Sequence, residues 1–222
     1  GMSLNSEQLK DGKSCLLIID MQYDFINGSL KVNGGEEIVP IISDFLKKNG
    51  NQFDLIVFTK DDHPSNHISF ASSHKNKKPF EEYTYVSEKD PNHTFKSCLW
   101  PDHCVVGTHG NEIHSDLAKL IANGKINNTK ALVVGKGMDP KREYYSCFND
   151  VLEEHNTDIL EVLKKENISN VYVCGLAYDY CVLNSAKSSK KFGFKTYVID
   201  NMTRKIDPNW EFNEPGIEKI QM

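Results

Sequence analysis

Cys181 lies at a strand-to-helix turn, a position that suits a nucleophilic side chain. Residues 171–174 are β-branched and apolar, which predicts a buried parallel strand, and helical spacing follows over residues 179–191. The unpaired amides and the positive dipole end of the first helical turn favour a thiolate over a thiol there. A lone cysteine is more often a small core residue, so the hypothesis depends on partners elsewhere in the chain.

Two charged residues also follow predicted strands. Asp20 comes directly after the apolar run 15–19, and Lys136 comes shortly after the apolar run 131–134. In open α/β sheets the carboxyl ends of parallel strands border the crevice that binds ligands. Each residue also has a plainer interpretation, because an aspartate can cap the next turn and a lysine is usually solvated.

Asp61 and His63 follow another predicted strand, over residues 55–58. Because the two residues are two positions apart in an extended chain, their side chains point to the same face. A carboxylate and an imidazole placed together suit Zn²⁺, Fe²⁺ or Mn²⁺ as ligands. His67 follows one turn later and could add a ligand or a hydrogen bond. His103, in the glycine- and aromatic-rich segment 98–110, could complete a three-residue set or form a hydrogen bond within its loop.

Strands and helices alternate along the chain, which predicts a parallel sheet with right-handed crossovers and helices on both faces. The remaining predicted elements are helices over 36–49, 112–123 and 158–166 and a strand over 196–199. Residues 72–111 show no regular pattern, and a connection that long is usually functional or disordered. The tail from residue 201 is polar and weakly patterned, so no element is predicted there.

The composition is that of an ordinary globular protein. The 222 residues suffice for a single domain over 1–222, with 39% hydrophobic and 26% charged residues. The net charge of −5, without a basic run, argues against nucleic acid as a partner. No segment predicts a signal peptide or a membrane span, and the six scattered cysteines are expected as free thiols, so a cytoplasmic location is predicted.

Five ordered motifs carry a family resemblance over about residues 15–200: DMQYDF, TKDDHPSNHISFA, LWPDHCVVGTHG, KGMDPKREYYSCF and GLAYDYCV. In order and spacing they resemble the isochorismatase-like cysteine hydrolases, and within them the nicotinamidases, which deamidate nicotinamide to nicotinate. The resemblance implies a three-layer α/β/α fold with Asp20, Lys136 and Cys181 as catalytic triad. Asp62 departs from the pattern, because the family usually has tryptophan between the two metal ligands.

The resemblance also implies roles for the remaining motif residues. Asp61, His63 and His103 would bind one divalent metal, zinc before Fe²⁺ or Mn²⁺, with His67 as a further candidate. The substrate-binding residues it implies are Phe25, Trp100, Tyr145, Leu176 and Ala177. A cis peptide is implied between Leu176 and Ala177, and the amides of Ala177 and Cys181 would form the oxyanion hole.

The expected activity is that of an amidohydrolase acting on a linear amide, in NAD salvage. Cys181 would form a thioester with nicotinamide, and Asp20 would move the proton from the thiol to ammonia. Pyrazinamide is expected as a second substrate, and a homo-oligomer is left open. The alternatives are a metal-free relative that cleaves another small amide and a non-catalytic nicotinamide-binding protein.

Overall fold

A seven-stranded sheet forms the centre of the computed structural model, which describes residues 12–222. Its strand order is β5-β6-β2-β1-β7-β8-β9, parallel except for the short β5, and β3 and β4 form a separate antiparallel hairpin. The strands are β1 (Lys13–Ile19), β2 (Leu55–Asp61), β3 (Glu82–Val86), β4 (Thr94–Cys98), β5 (Lys125–Ile126), β6 (Thr129–Lys136), β7 (Ile168–Leu176), β8 (Lys195–Arg204) and β9 (Glu218–Ile220).

Within the described residues, five α-helices connect or flank these strands: α1 (Tyr23–Ile26), α2 (Gly35–Asn49), α3 (Ser115–Ala118), α4 (Ile159–Lys165) and α5 (Leu183–Lys191). A π-helical turn, Tyr178–Val182, precedes α5. Short 3₁₀ turns occur at Gly50–Gln52, Ala71–Ser73 and His109–Asn111. Every helix within residues 12–222 falls short of the length and apolar character that crossing a bilayer requires.

The order of the strands reverses between β1 and β7. From β1 the chain passes through α2 to β2 on one side, whereas from β7 it passes through α5 to β8 on the other. Because parallel crossovers are right-handed, these opposite directions put α2 and α5 on opposite faces of the sheet. The predicted α/β fold with helices on both faces is confirmed, and the crevice beside β1 and β7 is the expected ligand site.

Most predicted elements are present with longer bounds, but three regions differ. The patternless segment 72–111 contains the β3–β4 hairpin, whose residues are mostly half-buried or exposed and so give little hydrophobic signal. The predicted helix over 112–123 is wrong beyond α3, because the chain turns at Asn123 and Gly124 to start β5. The unplaced tail ends in β9, which pairs with β8.

Candidate active site

Four neighbouring strands carry the predicted chemical residues to one edge of the sheet. Lys136 ends β6, Asp61 ends β2, and Asp20 directly follows β1. The turn after β7 then carries Cys181. Since adjacent strands lie about 4.8 Å apart, side chains at these ends can touch across the crevice. We call Asp20, Asp61, Lys136 and Cys181 the strand-end cluster.

The Lys136 ammonium is the centre of the strand-end cluster. Its Nζ donates to Asp61 Oδ1 at 2.5 Å and to Asp20 Oδ2 at 3.0 Å. It also donates to the carbonyl of Tyr144 at 3.2 Å and lies 3.6 Å from Cys181 Sγ. The lysine side chain is 1% exposed, so two carboxylates and one cation share a site without bulk solvent. This buried cation therefore holds both carboxylates beside the thiol.

Burial and the shared cation set the ionisation of the cluster. Burial alone would lower the pKa of Lys136, but Asp20 and Asp61 raise it well above its usual range. Burial raises the pKa of Asp20, against the opposing effect of Lys136. The Asp20 carboxylate is further fixed by the Thr59 hydroxyl, which donates to Oδ1 at 2.7 Å. A carboxylate with a raised pKa is a better base toward a thiol.

The predicted lowering of the Cys181 pKa is wrong for this structure. Burial raises the pKa of the thiol well above its ordinary value, and Lys136 offsets only part of that effect. Cys181 also lies in the π-helical turn, and α5 begins two residues later at Leu183. The Cys181 thiol is therefore neutral at rest, and a carboxylate oxygen of Asp20 lies within 4.8 Å of its Sγ.

Asp61, His63 and His103 form a cluster whose ligand atoms all lie within 4.8 Å of one another. The carbonyls of Gly137 and Pro101 lie 2.9 and 2.8 Å from Nδ1 of His63 and His103, so each Nδ1 carries the proton. Both Nε2 lone pairs then face Asp61 Oδ2, at 3.4 and 3.6 Å.

Two imidazole nitrogens facing one carboxylate oxygen form an arrangement that a bound cation would stabilise. Among residues 12–222, His63 Nε2 is a buried nitrogen without a hydrogen-bond partner. The Nδ1–H···O=C bonds are the kind that fix the tautomer and ring orientation of metal-binding histidines. Two imidazoles and a carboxylate match a divalent metal centre of the zinc type. The predicted ligand set therefore fits a metal.

His67 is placed behind this set. Its Nε2 lies 2.7 Å from the Arg142 carbonyl and its Nδ1 lies 2.7 Å from the Ser69 hydroxyl, so both ring nitrogens are occupied. The ring stacks on His63 at 3.9 Å between centroids. Burial, together with the neighbouring His63, lowers the pKa of His67 to about 3. Of the two roles left open for His67, the structure favours hydrogen bonding and packing over ligation.

A cavity opens beside Cys181. Aromatic and aliphatic side chains form most of its lining, and we call these residues the pocket wall: Phe25, Leu30, Trp100, Tyr145, Tyr180 and Ile206.

Three members of the pocket wall were predicted from the sequence, and the structure brings them together. The Trp100 indole donates to the Tyr145 hydroxyl at 3.1 Å, and its ring meets Tyr180 edge-on at 5.0 Å. Phe25 contacts His103 at 5.4 Å between ring centroids. The cavity therefore combines aromatic rings with the imidazole of His103, and these groups suit a flat heteroaromatic ring.

The turn after β7 shapes the other side of the cavity. The Leu176–Ala177 peptide bond is cis, as the resemblance implied. The Ala177 carbonyl accepts from the amides of Tyr180 and Val182, at 3.1 and 3.0 Å, which closes the turn tightly over Cys181. Ala177 lines the cavity, whereas Leu176 is fully buried behind it.

Glu143 is a site residue that the sequence did not reveal. It is 3% exposed, lines the cavity, and groups with His63 and His67 within 4.8 Å. Burial raises its pKa. Glu143 lies in a loop without hydrophobic periodicity, so its approach to the metal ligands depends on the path of the loop and leaves no local signal. Leu30 and Ile206 were missed for the same reason, and Tyr180 was missed although it adjoins Cys181 in the π-helical turn.

Asp62, the departure from the family pattern, points away from the metal ligands. Its Oδ1 accepts from the Asn111 side chain at 2.8 Å and lies 3.8 Å from Lys60 Nζ. Its Oδ2 lies close to Gly135, and a Cβ at Gly135 would lie 2.3 Å from this oxygen. The negative charge is thus held on the opposite face of β2 from the candidate metal site.

Comparisons with known proteins agree with this geometry. A family model described as Isochorismatase domain matches residues 14–214. The nicotinamidase of Saccharomyces cerevisiae is 40% identical over 199 residues, which cover 88% of this chain and 90% of the yeast protein.

Two solved structures extend the likeness to the backbone. Yeast nicotinamidase bound to the inhibitor nicotinaldehyde has a TM-score of 0.85 and 35% identity, covering 94% of this chain and 100% of the other. The pyrazinamidase of Pyrococcus horikoshii in complex with zinc has a TM-score of 0.70 and 28% identity, covering 95% and 99%.

Proposed function

Because this chain belongs to the isochorismatase-domain family, we propose that it hydrolyses nicotinamide to nicotinate and ammonia. The enzyme is an amidohydrolase acting on a linear amide, and its reaction returns nicotinamide to NAD salvage. The yeast and archaeal relatives, a nicotinamidase and a pyrazinamidase, support both the reaction and a small heteroaromatic amide as substrate. The six cysteines are all free thiols, which supports the cytoplasm as its location.

One observation carries the proposal: the thiol of Cys181 lines an aromatic cavity and lies within 4.8 Å of the buried Asp20 carboxylate. An amide is a weak electrophile with a poor leaving group, so its hydrolysis needs a nucleophile and a proton donor for the amine. A heteroaromatic ring needs flat apolar walls and a directional partner for its nitrogen. This cavity offers all of these within one enclosure.

The first half-reaction forms a thioester. Asp20 takes the thiol proton as Cys181 Sγ attacks the carboxamide carbon, and the carbonyl oxygen becomes an oxyanion held by the amides of Ala177 and Cys181. One such donor is worth about 3–4 kcal/mol in the transition state. The tetrahedral intermediate then collapses: the C–N bond breaks, Asp20 returns its proton to the nitrogen, and ammonia leaves. Lys136 keeps Asp20 in place throughout.

The second half-reaction reverses the roles of these groups. Asp20, now a carboxylate again, takes a proton from water as the water oxygen attacks the thioester carbon. The same two amides hold the second oxyanion. When the C–S bond breaks, the proton passes from Asp20 to the thiolate, and the product leaves as nicotinic acid, which gives its remaining proton to solvent and becomes nicotinate. The enzyme returns to its starting state with a neutral Cys181 thiol, in agreement with the raised pKa of that group.

Asp61, His63 and His103 would hold one divalent metal ion, which we propose to be zinc. The donor set and the orphaned His63 Nε2 support a metal, and the zinc-bound pyrazinamidase supports zinc over Fe²⁺ or Mn²⁺. When bound, the metal supplies a Lewis acid that accepts the ring nitrogen and orients the substrate. Phe25 and Trp100 hold the two faces of the ring, so the carboxamide meets Cys181.

Ammonia release from three amides tests the function. Nicotinamide and pyrazinamide both carry a ring nitrogen meta to the carbon that bears the amide, whereas benzamide lacks one. Losing that partner should cost about 2–3 kcal/mol, or about 30- to 150-fold in kcat/KM. The expected order is nicotinamide, then pyrazinamide, with benzamide far behind.

The same assay separates the alternatives. If benzamide turned over as well as nicotinamide, the enzyme would act on amides without reading the ring nitrogen, as a metal-free relative does. If no amide released ammonia while nicotinamide still bound, the chain would be a non-catalytic binding protein. Calorimetry of nicotinamide binding on the same sample distinguishes this second outcome from loss of folding.

A further inference from the structure

Residues 205–212, which we call the C-terminal strap, follow β8 and pass beside the cavity. Ile206 in the strap lines the cavity together with Cys181. Among the described residues that line it, Leu30 and Ile206 are the large aliphatic ones, and the other apolar members are aromatic rings and Ala177. Neither the proposed thioester chemistry nor the proposed metal uses Ile206.

Asp179 attaches the strap to the turn that carries the nucleophile. Its Oδ1 accepts the amide of Ile206 and its Oδ2 accepts the amide of Asp207, both at 2.9 Å. Asp179 is 8% exposed and lies two residues before Cys181 in the π-helical turn. Hydrogen bonds to an ionised carboxylate are about twice as strong as neutral ones. Both oxygens of one carboxylate thus fix the backbone at the residue that meets the cavity.

Other contacts of the strap are less specific in direction. Lys205 Nζ donates to the Trp210 carbonyl at 2.7 Å, a bond within the strap itself. The rings of Trp210 and Phe212 pack on Tyr178 at 5.1 and 5.6 Å. These apolar contacts hold the strap near the turn, but they are non-directional and do not fix its position along the turn. The two bonds from Asp179 set the position of the Ile206 backbone along the turn.

We propose that Ile206 is a specificity-determining residue and that Asp179 is its positioning residue. Asp179 holds the strap so that the branched Ile206 side chain limits the size of a ring substituent that the cavity accepts. The inference rests on the proposed amidase function and adds a wall that selects among heteroaromatic amides. One methylene in a hydrophobic pocket changes selectivity by about 10- to 200-fold, so one branched side chain suffices.

The test measures kcat/KM for nicotinamide and for nicotinamides methylated at C4, C5 or C6. Ile206→Ala should raise the rate of at least one methylated amide relative to nicotinamide by about tenfold or more. Its KM for nicotinamide should rise by a larger factor than its kcat falls, because the proposal assigns Ile206 to binding of the ring and not to the thioester chemistry. Asn209→Ala, an exposed position in the same strap, is the matched control and should keep the wild-type ratios.

The role of Asp179 is tested by asking whether the effect of its substitution requires Ile206. Asp179→Ala should relax the same substrate ratio as Ile206→Ala, and Asp179→Asn, which keeps one acceptor oxygen, should lie between Asp179→Ala and the wild type. If Asp179 acts through Ile206, the double variant should match Ile206→Ala alone. Thermal melts identify any variant that fails to fold, and Asp179→Asn then carries the test.

Two results would overturn the inference while the proposed function stands. One is an active wild type with substrate ratios unchanged, within about twofold, in Ile206→Ala. The other is a double variant whose effects simply add, which would make Asp179 independent of the wall. If the wild type released no ammonia, the proposed function would fail instead, and calorimetric binding of the same amides would give the same ratio test.

Discussion

The strand-end cluster and the pocket wall differ in the backbone that carries them. Asp20 directly follows β1, and Asp61 and Lys136 are the last residues of β2 and β6. The registers of these three strands are fixed by pairing with their neighbours. The pocket wall comes from the short helix α1, from connecting loops and from the C-terminal strap, except for Tyr180, which shares the π-helical turn with Cys181. The proposed chemistry is therefore built mainly on the ends of paired strands, and the proposed ring recognition mainly on a short helix, loops and the strap.

Because of this difference, the two regions should tolerate substitutions to different degrees. A shift of β1 or β2 by one residue would turn Asp20 or Asp61 away from the crevice, so the cluster tolerates little variation. A loop can exchange Leu30 or Ile206 without disturbing any strand. We therefore expect substitutions in the cluster to abolish catalysis and substitutions in the wall to redirect it.

The largest expected effect is that of Cys181→Ala. Without the thiol no thioester forms, so kcat should fall by about 10⁴-fold or more. The fold should persist, since the removed atom is one sulfur in a turn that backbone hydrogen bonds hold. Cys98→Ala, a half-buried cysteine of β4, is the matched control and should keep its activity within about threefold. Near-normal ammonia release by Cys181→Ala would remove the nucleophile assignment.

Lys136→Met tests the cluster as a structural unit. It leaves Asp20 and Asp61 buried without their cation, which should cost about 3–5 kcal/mol in the free energy of unfolding. Urea denaturation with a chelator measures this cost without a metal to neutralise Asp61. Lys130→Met on the same strand removes an exposed pair with Glu166 and should cost about 0–1 kcal/mol. Equal costs for the two variants would contradict a buried, cation-centred cluster.

The sequence predicts the cluster well because a strand end is a local feature. Asp20 directly follows an apolar run and Lys136 follows another by one residue, and parallel pairing brings such ends together without further information. The hairpin β3–β4 escaped prediction because each strand is only five residues long, so Tyr83, Tyr85 and Phe95 on its inner face give too short an alternating pattern to recognise. The first helical turn was predicted as α, whereas the π-helical turn that carries Cys181 depends on tertiary contacts of the whole crevice.

The pocket wall was only partly predictable. Phe25, Trp100 and Tyr145 were assigned through the family resemblance, and the structure brings all three to the cavity. Glu143 and Ile206 were not assigned, since loop paths over long sequence distances decide which of their side chains reach the site. The thiol pKa was predicted with the wrong sign because burial, which the sequence does not report, outweighs Lys136.

The proposed metal ligands lie between the two regions, and His63→Ala and His103→Ala test them. Metal analysis of wild-type protein should find about one equivalent, and each variant should lose it. The preference for nicotinamide over benzamide, about 2–3 kcal/mol, should shrink in the same variants because the ring nitrogen loses its partner. His93→Ala, an exposed histidine of the β3–β4 connection, is the control. Unchanged metal content in His63→Ala, His103→Ala and Asp61→Ala would make the ligand assignment wrong.

The smallest effect is expected at Asp62, which adjoins two metal ligands in sequence but faces the other side of β2. Asp62→Asn removes the charge and keeps an oxygen that Asn111 can reach. The lost pair with Lys60 is half-exposed, so it is worth about 0–1 kcal/mol, and kcat/KM for nicotinamide should change by less than about fivefold. The outward direction of Asp62 is the physical reason, because alternate residues of a strand leave opposite faces. A tenfold loss with unchanged metal content would show that Asn111, which also binds the carbonyls of Asp61 and Cys104, transmits the charge of Asp62 to the metal loop. Asp62 and Asn111, beside the end of β2, would then affect substrate recognition together with the pocket wall.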